Sequence, residues 1–248
     1  MFKAQFPNIL TLTNLFFGFL SILNCYIDNY NIACYFILLA AFLDSLDGKI
    51  ARILGVSTEF GKELDSLSDL VSFCLAPSFL VYVLYSQNMP GISGEIIASA
   101  PLILGVIRLA RFNVSENENS SYFEGLPTTF NAIFLCCLIL YIEDIKLIHS
   151  EYSQPRLLLP IIITSSFLMV SKIKYPKFPA LNFSSGYVNT ARYVAFLISV
   201  SIFFISLFFD KQLTILISIS SGLLLFGLLK HFIIDEKIHI KFFRNVSK

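Results

Sequence analysis

Long apolar stretches alternate with short polar ones along most of the 248-residue chain. A helix needs about 20 apolar residues to cross a hydrocarbon core of roughly 30 Å, and eight stretches reach or approach that length. Their approximate bounds are 8–27, 32–52, 59–86, 95–113, 128–142, 157–171, 191–209 and 213–234, the fifth and sixth being the shortest. The pattern therefore predicts an all-α, polytopic membrane protein with about eight transmembrane helices.

Composition supports a membrane environment. The chain is 56% hydrophobic and 14% charged, whereas an ordinary soluble domain carries about a quarter charged residues. A soluble core cannot hide this much apolar surface. No Gly/Ser-rich linker or shift in composition divides the chain, so we expect one membrane domain over 1–248. The five cysteines lie in apolar runs without metal-ligand spacing, which predicts buried, unreactive side chains.

Basic residues orient the predicted spans. With the N-terminus inside the cell, fifteen of the eighteen Lys and Arg residues lie on the cytoplasmic side, and three (Lys146, Arg156 and Lys211) lie on the other. The positive-inside rule then places both termini in the cytoplasm of an inner-membrane protein. The C-terminal tail, 235–248, mixes basic and apolar residues. It is expected to lie on the anionic membrane surface and to contact lipids, not nucleic acid.

Four carboxylates stand where a membrane helix should be apolar. Asp44 and Asp47 come near the end of the second predicted helix, and Asp65 and Asp69 fall in the first turns of the third. Each costs about 2.5–3.5 kcal/mol at a helix centre and less near its ends. Aspartate has too short a stem to reach water readily from such positions. A functional site is therefore the favoured interpretation.

The spacing of these aspartates predicts that they converge. Asp44 and Asp47 are three residues apart and share a helix face, and Asp65 and Asp69 are four apart. If the two helices form an antiparallel hairpin that turns near Gly55, Asp44 lies near Asp69 and Asp47 near Asp65. This hairpin, 44–69, turns on the basic, cytoplasmic side.

Converging carboxylates require a counter-charge, because they cannot all be ionised together. A set of oxygen ligands without Cys or His suits Mg²⁺, Mn²⁺ or Ca²⁺ and indicates phosphate chemistry. Gly48, Ala51 and Gly61 remove bulk between the carboxylates. These small residues either let the helices pack closely or leave space for a nucleotide. Arg52 offers a fork for a phosphate group.

Segment 44–69 resembles the signature D-x2-D-G-x2-A-R-x8-G-x3-D-x3-D of the CDP-alcohol phosphatidyltransferase family. All eight fixed positions match: Asp44, Asp47, Gly48, Ala51, Arg52, Gly61, Asp65 and Asp69. The resemblance implies a helical membrane fold, a bound CDP moiety and two divalent ions, Mg²⁺ or Mn²⁺, held by the four aspartates. It also implies that Asp69 is the catalytic base. If Asp69 is only a ligand, the proton acceptor is a metal-bound hydroxide or Asp65.

Further patches resemble the members of this family that use L-serine as the acceptor. They are Pro7–Gly18, Arg108–Asn113, Phe123–Pro127 and Met169–Phe178. The resemblance implies that CDP-diacylglycerol and L-serine are the substrates, and that phosphatidylserine and CMP are the products. It places Asn8 and Thr11 beside the nucleotide, and Arg108 and Arg111 beside the serine carboxylate or a phosphate.

Several alternatives stay open at this point. Asn8 and Thr11 are equally consistent with hydrogen bonds inside the first helix, and Arg108 and Arg111 with anchoring at the membrane interface. Another acceptor (glycerol 3-phosphate, inositol or choline) is the nearest rival function. A cation transporter is a rival of another class, but it has no need of the Gly48, Ala51, Arg52 and Gly61 pattern. The oligomeric state is open, with a homodimer among the options.

Overall fold

The computed structural model describes residues 2–56, 58–114, 122–148, 158–176, 190, 194 and 213–229. For residues 2–5, 51–53, 122 and 146–148 only the backbone is described. The seventh predicted span, apart from Val194, and the tail 235–248 lie outside these ranges.

The described part of the chain is almost entirely helical. In chain order the α-helices are α1 Phe2–Tyr26, α2 Tyr30–Leu54, α3 Glu59–Asp69, α4 Ala76–Val81, α5 Ser93–Ala98, α6 Ala100–Val114, α7 Thr128–Ile148, α8 Leu158–Val170 and α9 Leu213–Leu229. The π-helical segment Leu70–Leu75 joins α3 to α4, and a second one, Tyr82–Ser86, extends α4, so the helix is continuous from Glu59 to Ser86. Two short strands, β1 Tyr122–Glu124 and β2 Lys174–Pro176, complete the description.

In the described ranges, five helices are long and apolar enough to cross a bilayer, which confirms a polytopic helical membrane protein. They are Phe6–Tyr26, Tyr30–Ile50, Glu59–Ser86, Ser93–Val114 and Thr128–Ile145. These match the first five predicted spans. The sixth and eighth predictions correspond to the shorter apolar helices α8 and α9. All five cysteines are buried, as their apolar surroundings predict, and none of them forms a disulfide bond.

Helix α1 buries small and polar residues and exposes apolar ones. Its buried face repeats at intervals of four and three residues and consists of Pro7, Thr11, Asn14, Gly18, Ser21 and Cys25. Large side chains such as Phe16 and Phe19 point outward, each about half exposed. Lipid is as apolar as these side chains, so membrane helices associate through close packing and hydrogen bonds instead of apolar burial.

The contact of α1 with α3 and the following π-helical segment uses such bonds. Ser68 Oγ donates to the Thr11 carbonyl oxygen at 3.0 Å, and Ser72 Oγ donates to the Asn14 carbonyl oxygen at 3.0 Å. Gly18 permits this approach, because a Cβ there would lie 2.8 Å from the Ser72 Cα. The α1 backbone thereby fixes the helix that carries Asp65 and Asp69.

The turn between α2 and α3 lies where the aspartate spacing places it. Gly55 follows the end of α2 with φ +64°, a conformation that glycine adopts without steric cost. Thr58 then caps α3, because its hydroxyl accepts a hydrogen bond from the Gly61 N–H at 3.0 Å. The two aspartate-bearing helices are thus joined by a short connection with a defined start and end.

The chain divides into two compact units, Met1–Glu118 with Pro127–Val170, and Asn119–Leu126 with Ser171–Lys248. The first contains α1 to α8 and all four aspartates. Whether both units act as one domain, as the sequence suggests, stays a prediction.

In the second unit β1 pairs with β2 in an antiparallel ribbon, with Phe123 opposite Tyr175. Tyr175 is buried beside Gly227 of α9, and burial raises the pKa of its hydroxyl to about 12. The sequence did not predict this ribbon.

Candidate active site

The structure gathers three of the four aspartates at one point. Asp44 and Asp47 on α2 and Asp65 on α3 each offer one carboxylate oxygen, and these three oxygens lie within 4.8 Å of one another. Asp47 is only 5% exposed. In the part of the chain that is described, no other His, Cys, Asp and Glu side chains group in this way.

Asp69 completes the cluster one turn farther along α3. Its carboxyl forms a hydrogen bond with Asp44 and interacts electrostatically with Asp65. Asp65 in turn interacts electrostatically with Asp47. The structure therefore brings together the two pairs that the hairpin predicts. One oxygen each of Asp65 and Asp69 is buried and has no hydrogen-bond partner among the described residues.

Helices outside the hairpin hold the carboxylates in place. Thr11 Oγ1 on α1 donates to Asp47 Oδ2 at 2.9 Å. On the other side, the Thr129 hydroxyl on α7 donates to the Asp44 carboxylate. Asp44 and Asp47 thus each have a threonine partner on a different neighbouring helix. These hydrogen bonds fix the orientation of the two carboxylates.

Arg108 on α6 is the basic residue of the cluster. Its guanidinium interacts electrostatically with Asp69, and its Nη1 donates to Thr128 Oγ1 at 3.4 Å. Its Nε is buried without a hydrogen-bond partner in the described structure. Among the described side chains, the site is therefore a ring from α1, α2, α3, α6 and α7, with one cation, Arg108, beside four carboxylates.

Other predicted site residues occupy the surroundings of this ring. Asn8 lies next to Gly61, where an added Cβ would be 3.3 Å from Asn8 Oδ1. A Cβ on Gly48 would meet no atom of the described residues within 4 Å, so open space adjoins α2 there. The side chains of Ala51 and Arg52 are outside the described set.

Arg111 has a different setting from Arg108. It is exposed, and its Nη1 donates to the Val170 carbonyl oxygen at the end of α8, at 3.0 Å. This bond satisfies one of the last carbonyl groups of a helix, as basic side chains commonly do. This bond ties α6 to the end of α8, and a contact of Arg111 with the serine carboxylate or a phosphate stays a prediction. Arg108 is the arginine that the described structure places in the cluster.

Sequence reasoning missed Thr128 and Thr129. Both stand at the start of α7, where threonine is an ordinary residue for a helix N-terminus, and they are about sixty residues from the aspartate signature. Only the packing of α7 reveals that they contact Arg108 and Asp44. Their position directly after the Phe123–Pro127 patch was the one available signal.

The donor set fits a hard divalent cation. All four candidate ligands are carboxylates, and two of them have a buried oxygen without a partner among the described residues. The group of candidate ligands found in the described part of the chain contains no thiol or imidazole. Oxygen-only sites of this kind suit Mg²⁺ or Mn²⁺. The metal would also supply the counter-charge that clustered carboxylates need.

A group of carboxylates of this kind, between the helices of a polytopic membrane protein, is typical of membrane-embedded enzymes that depend on a divalent metal. The profile of the CDP-alcohol phosphatidyltransferase family matches residues 4–164, a stretch that contains all four aspartates and Arg108. The chain belongs to the CDP-alcohol phosphatidyltransferase family.

The chain is also similar to several enzymes of known name. The chain is 34% identical over 235 residues to the CDP-diacylglycerol–serine O-phosphatidyltransferase of Helicobacter pylori, covering 94% of this chain and 93% of the relative. It is 36% identical over 186 residues to the enzyme of that name from Bacillus subtilis, covering 74% and 98%. It is also 36% identical over 183 residues to the archaetidylserine synthase of Methanothermobacter thermautotrophicus, covering 73% of each.

Proposed function

We propose that this protein is a CDP-diacylglycerol–serine O-phosphatidyltransferase of phospholipid biosynthesis. It transfers the phosphatidyl group of CDP-diacylglycerol to the hydroxyl of L-serine, giving phosphatidylserine and CMP. The observation that carries the reaction class is the convergence of Asp44, Asp47 and Asp65 beside Asp69, within the family signature. The names of several similar enzymes support serine as the acceptor.

Asp44, Asp47, Asp65 and Asp69 are the residues that would hold Mg²⁺ or Mn²⁺, as two ions. When bound, these ions supply positive charge to the diphosphate and to the departing CMP. Thr11 and Thr129 support that role, because they orient the carboxylates of Asp47 and Asp44 through hydrogen bonds. Asn8, Thr11, Gly48, Ala51, Arg52 and Gly61 would accommodate the CMP moiety, and the open space beside Gly48 supports that use.

Asp69 is the proposed general base. Its free oxygen would accept the proton of the serine hydroxyl, and the serine oxygen would then attack the phosphorus that carries diacylglycerol. The bond from that phosphorus to the CMP oxygen breaks, so CMP leaves with the electron pair. Arg108, beside Asp69, would bind the serine carboxylate with its guanidinium fork. Serine is thereby held with its hydroxyl at the base.

The acceptor assignment predicts a substrate preference. Membranes that contain the expressed chain should release CMP from CDP-diacylglycerol fastest with L-serine, compared at equal concentration with glycerol 3-phosphate, inositol and choline. Labelled acceptor and lipid analysis identify the product, and omission of CDP-diacylglycerol is the control. Faster release with glycerol 3-phosphate or inositol would leave the reaction class intact and refute serine as the acceptor.

The proposed active site faces the cytoplasm, which fixes the topology of the spans. Reporter fusions after Ser86 and after Glu151 should read outside, and fusions after Ser115 should read inside. The physical reason is that basic residues, which favour the cytoplasmic side of a membrane, lie near the aspartate hairpin. A fusion after Ser57, in the hairpin turn, should also read inside. A cytoplasmic signal at Ser86 would invert the helix that carries Asp65 and Asp69 and contradict the proposal.

The homodimer stays a prediction as well. Light scattering of the detergent-solubilised protein, corrected for bound detergent, measures the mass of the complex against the 28.0 kDa chain.

A further inference from the structure

Asn131 on α7 has a buried side chain that nothing in the proposed mechanism uses. It is 0% exposed. Its Oδ1 and its Nδ2 both have no hydrogen-bond partner among the described residues. A buried amide without partners is costly, and native structures keep few of them. Such a group is a candidate for contact with a ligand.

The position of Asn131 follows from the first turn of α7. Thr128 accepts a hydrogen bond from Arg108, and an added Cβ at Gly105 of α6 would lie 3.7 Å from Thr128 Cγ2. Residues three apart on a helix share a face. Asn131 therefore lies on the face of α7 that meets α6. It is about one helical turn after Thr128, the hydrogen-bond partner of Arg108.

We propose that Asn131 recognises the ammonium group of the serine acceptor. The inference rests on the proposed function. L-Serine presents a hydroxyl, a carboxylate and an ammonium group. Asp69 and Arg108 account for the first two, and the ammonium group needs an acceptor on the same side of the site. Asn131 Oδ1 supplies one without adding a fifth negative charge to the cluster.

The test compares two acceptors that differ only in this group. L-Serine and 3-hydroxypropanoate share the hydroxyl and the carboxylate, and 3-hydroxypropanoate lacks the ammonium group. The full-length protein in detergent is assayed for CMP release from CDP-diacylglycerol with each acceptor. The ratio of the two kcat/KM values is independent of the fraction of enzyme that is folded, since both are measured on one preparation.

Asn131→Leu should lower kcat/KM for L-serine by about 10- to 100-fold, the usual effect of losing a hydrogen bond to a charged group. The value for 3-hydroxypropanoate and the KM for CDP-diacylglycerol should stay near those of the wild type. Asn131→Ser, which shortens the side chain and keeps it polar, should lower the ratio in the same direction. Arg108→Gln should weaken both acceptors and leave the ratio unchanged, because both carry the carboxylate.

Asn14→Leu is the matched control. Asn14 is equally buried and its amide also has no partner in the described structure, but it lies on α1 beside Ser72. Its substitution should not alter the acceptor ratio. An unchanged ratio in both Asn131 variants, or an equal fall in Asn14→Leu, would overturn the role of Asn131. Absence of serine-dependent CMP release in the wild type would instead overturn the proposed function.

Discussion

Replacement of Asp69 by asparagine is expected to lower turnover by about 10²–10⁴-fold while CDP-diacylglycerol still binds. Asparagine keeps the shape and much of the hydrogen bonding of Asp69, including contact with Asp44, but it cannot take a proton. A positioned general base contributes typically 10²–10⁴-fold to the rate. Turnover and lipid affinity are measured separately at saturating divalent metal.

Asp144→Asn is the control for this substitution. Asp144 is an exposed carboxylate in the last turns of α7, far along the helix from Thr128, and its loss should leave turnover unchanged. Near-normal turnover in Asp69→Asn would show that Asp69 is at most a metal ligand. The proton acceptor would then be sought at Asp65, whose buried oxygen is also without a partner among the described residues.

Removal of divalent metal should abolish activity, and Mg²⁺ or Mn²⁺ should restore it. The three grouped carboxylates repel one another and the diphosphate of the substrate alike, so the site is not expected to bind CDP-diacylglycerol productively without added positive charge. The measurement is CMP release in excess chelator, followed by titration with each metal. Full activity in chelator would refute the metal centre.

The same titration separates ligands from the base. Asp47→Asn removes a candidate ligand directly, so the metal concentration for half-maximal activity should rise. Loss of a residue that only hydrogen-bonds to a metal ligand typically lowers metal affinity by roughly 10–100-fold. We expect a larger rise for Asp47→Asn. Asp44→Asn should behave similarly, and excess metal should partly rescue both. A loss of turnover that no metal concentration restores would give Asp44 and Asp47 a role other than ligation.

The aspartate cluster was predictable because it depends on local geometry alone. Helical spacing fixes which residues share a face, and a short turn at Gly55 fixes the pairing of Asp44 with Asp69. Neither step requires knowledge of distant packing. The first five spans were predictable for a similar reason, since each needs only a continuous apolar run of sufficient length.

The rest of the site depends on contacts between distant segments. Apart from their position after the Phe123–Pro127 patch, nothing in the local sequence of Thr128, Thr129 or Asn131 indicates that α7 packs against α2 and α6. Arg108 and Arg111 are three residues apart and chemically identical, yet one faces Asp69 and the other caps α8. Strands of three residues also carry too little periodicity to predict the ribbon of β1 with β2.

The polar face of α1 has a consequence for biogenesis. Membrane proteins are built from helices that insert first and associate afterwards, and translation adds about 5–20 residues per second. Ser68 is synthesised 57 residues after its partner Thr11. At that rate, roughly 3–11 seconds pass between the synthesis of the two residues, and α1 has no α3 to pack against during that time. During this interval its own apolar side chains must hold it in the bilayer. Docking of α3 then brings the carboxylates of α2 and α3 together before α6, which carries Arg108, has been made.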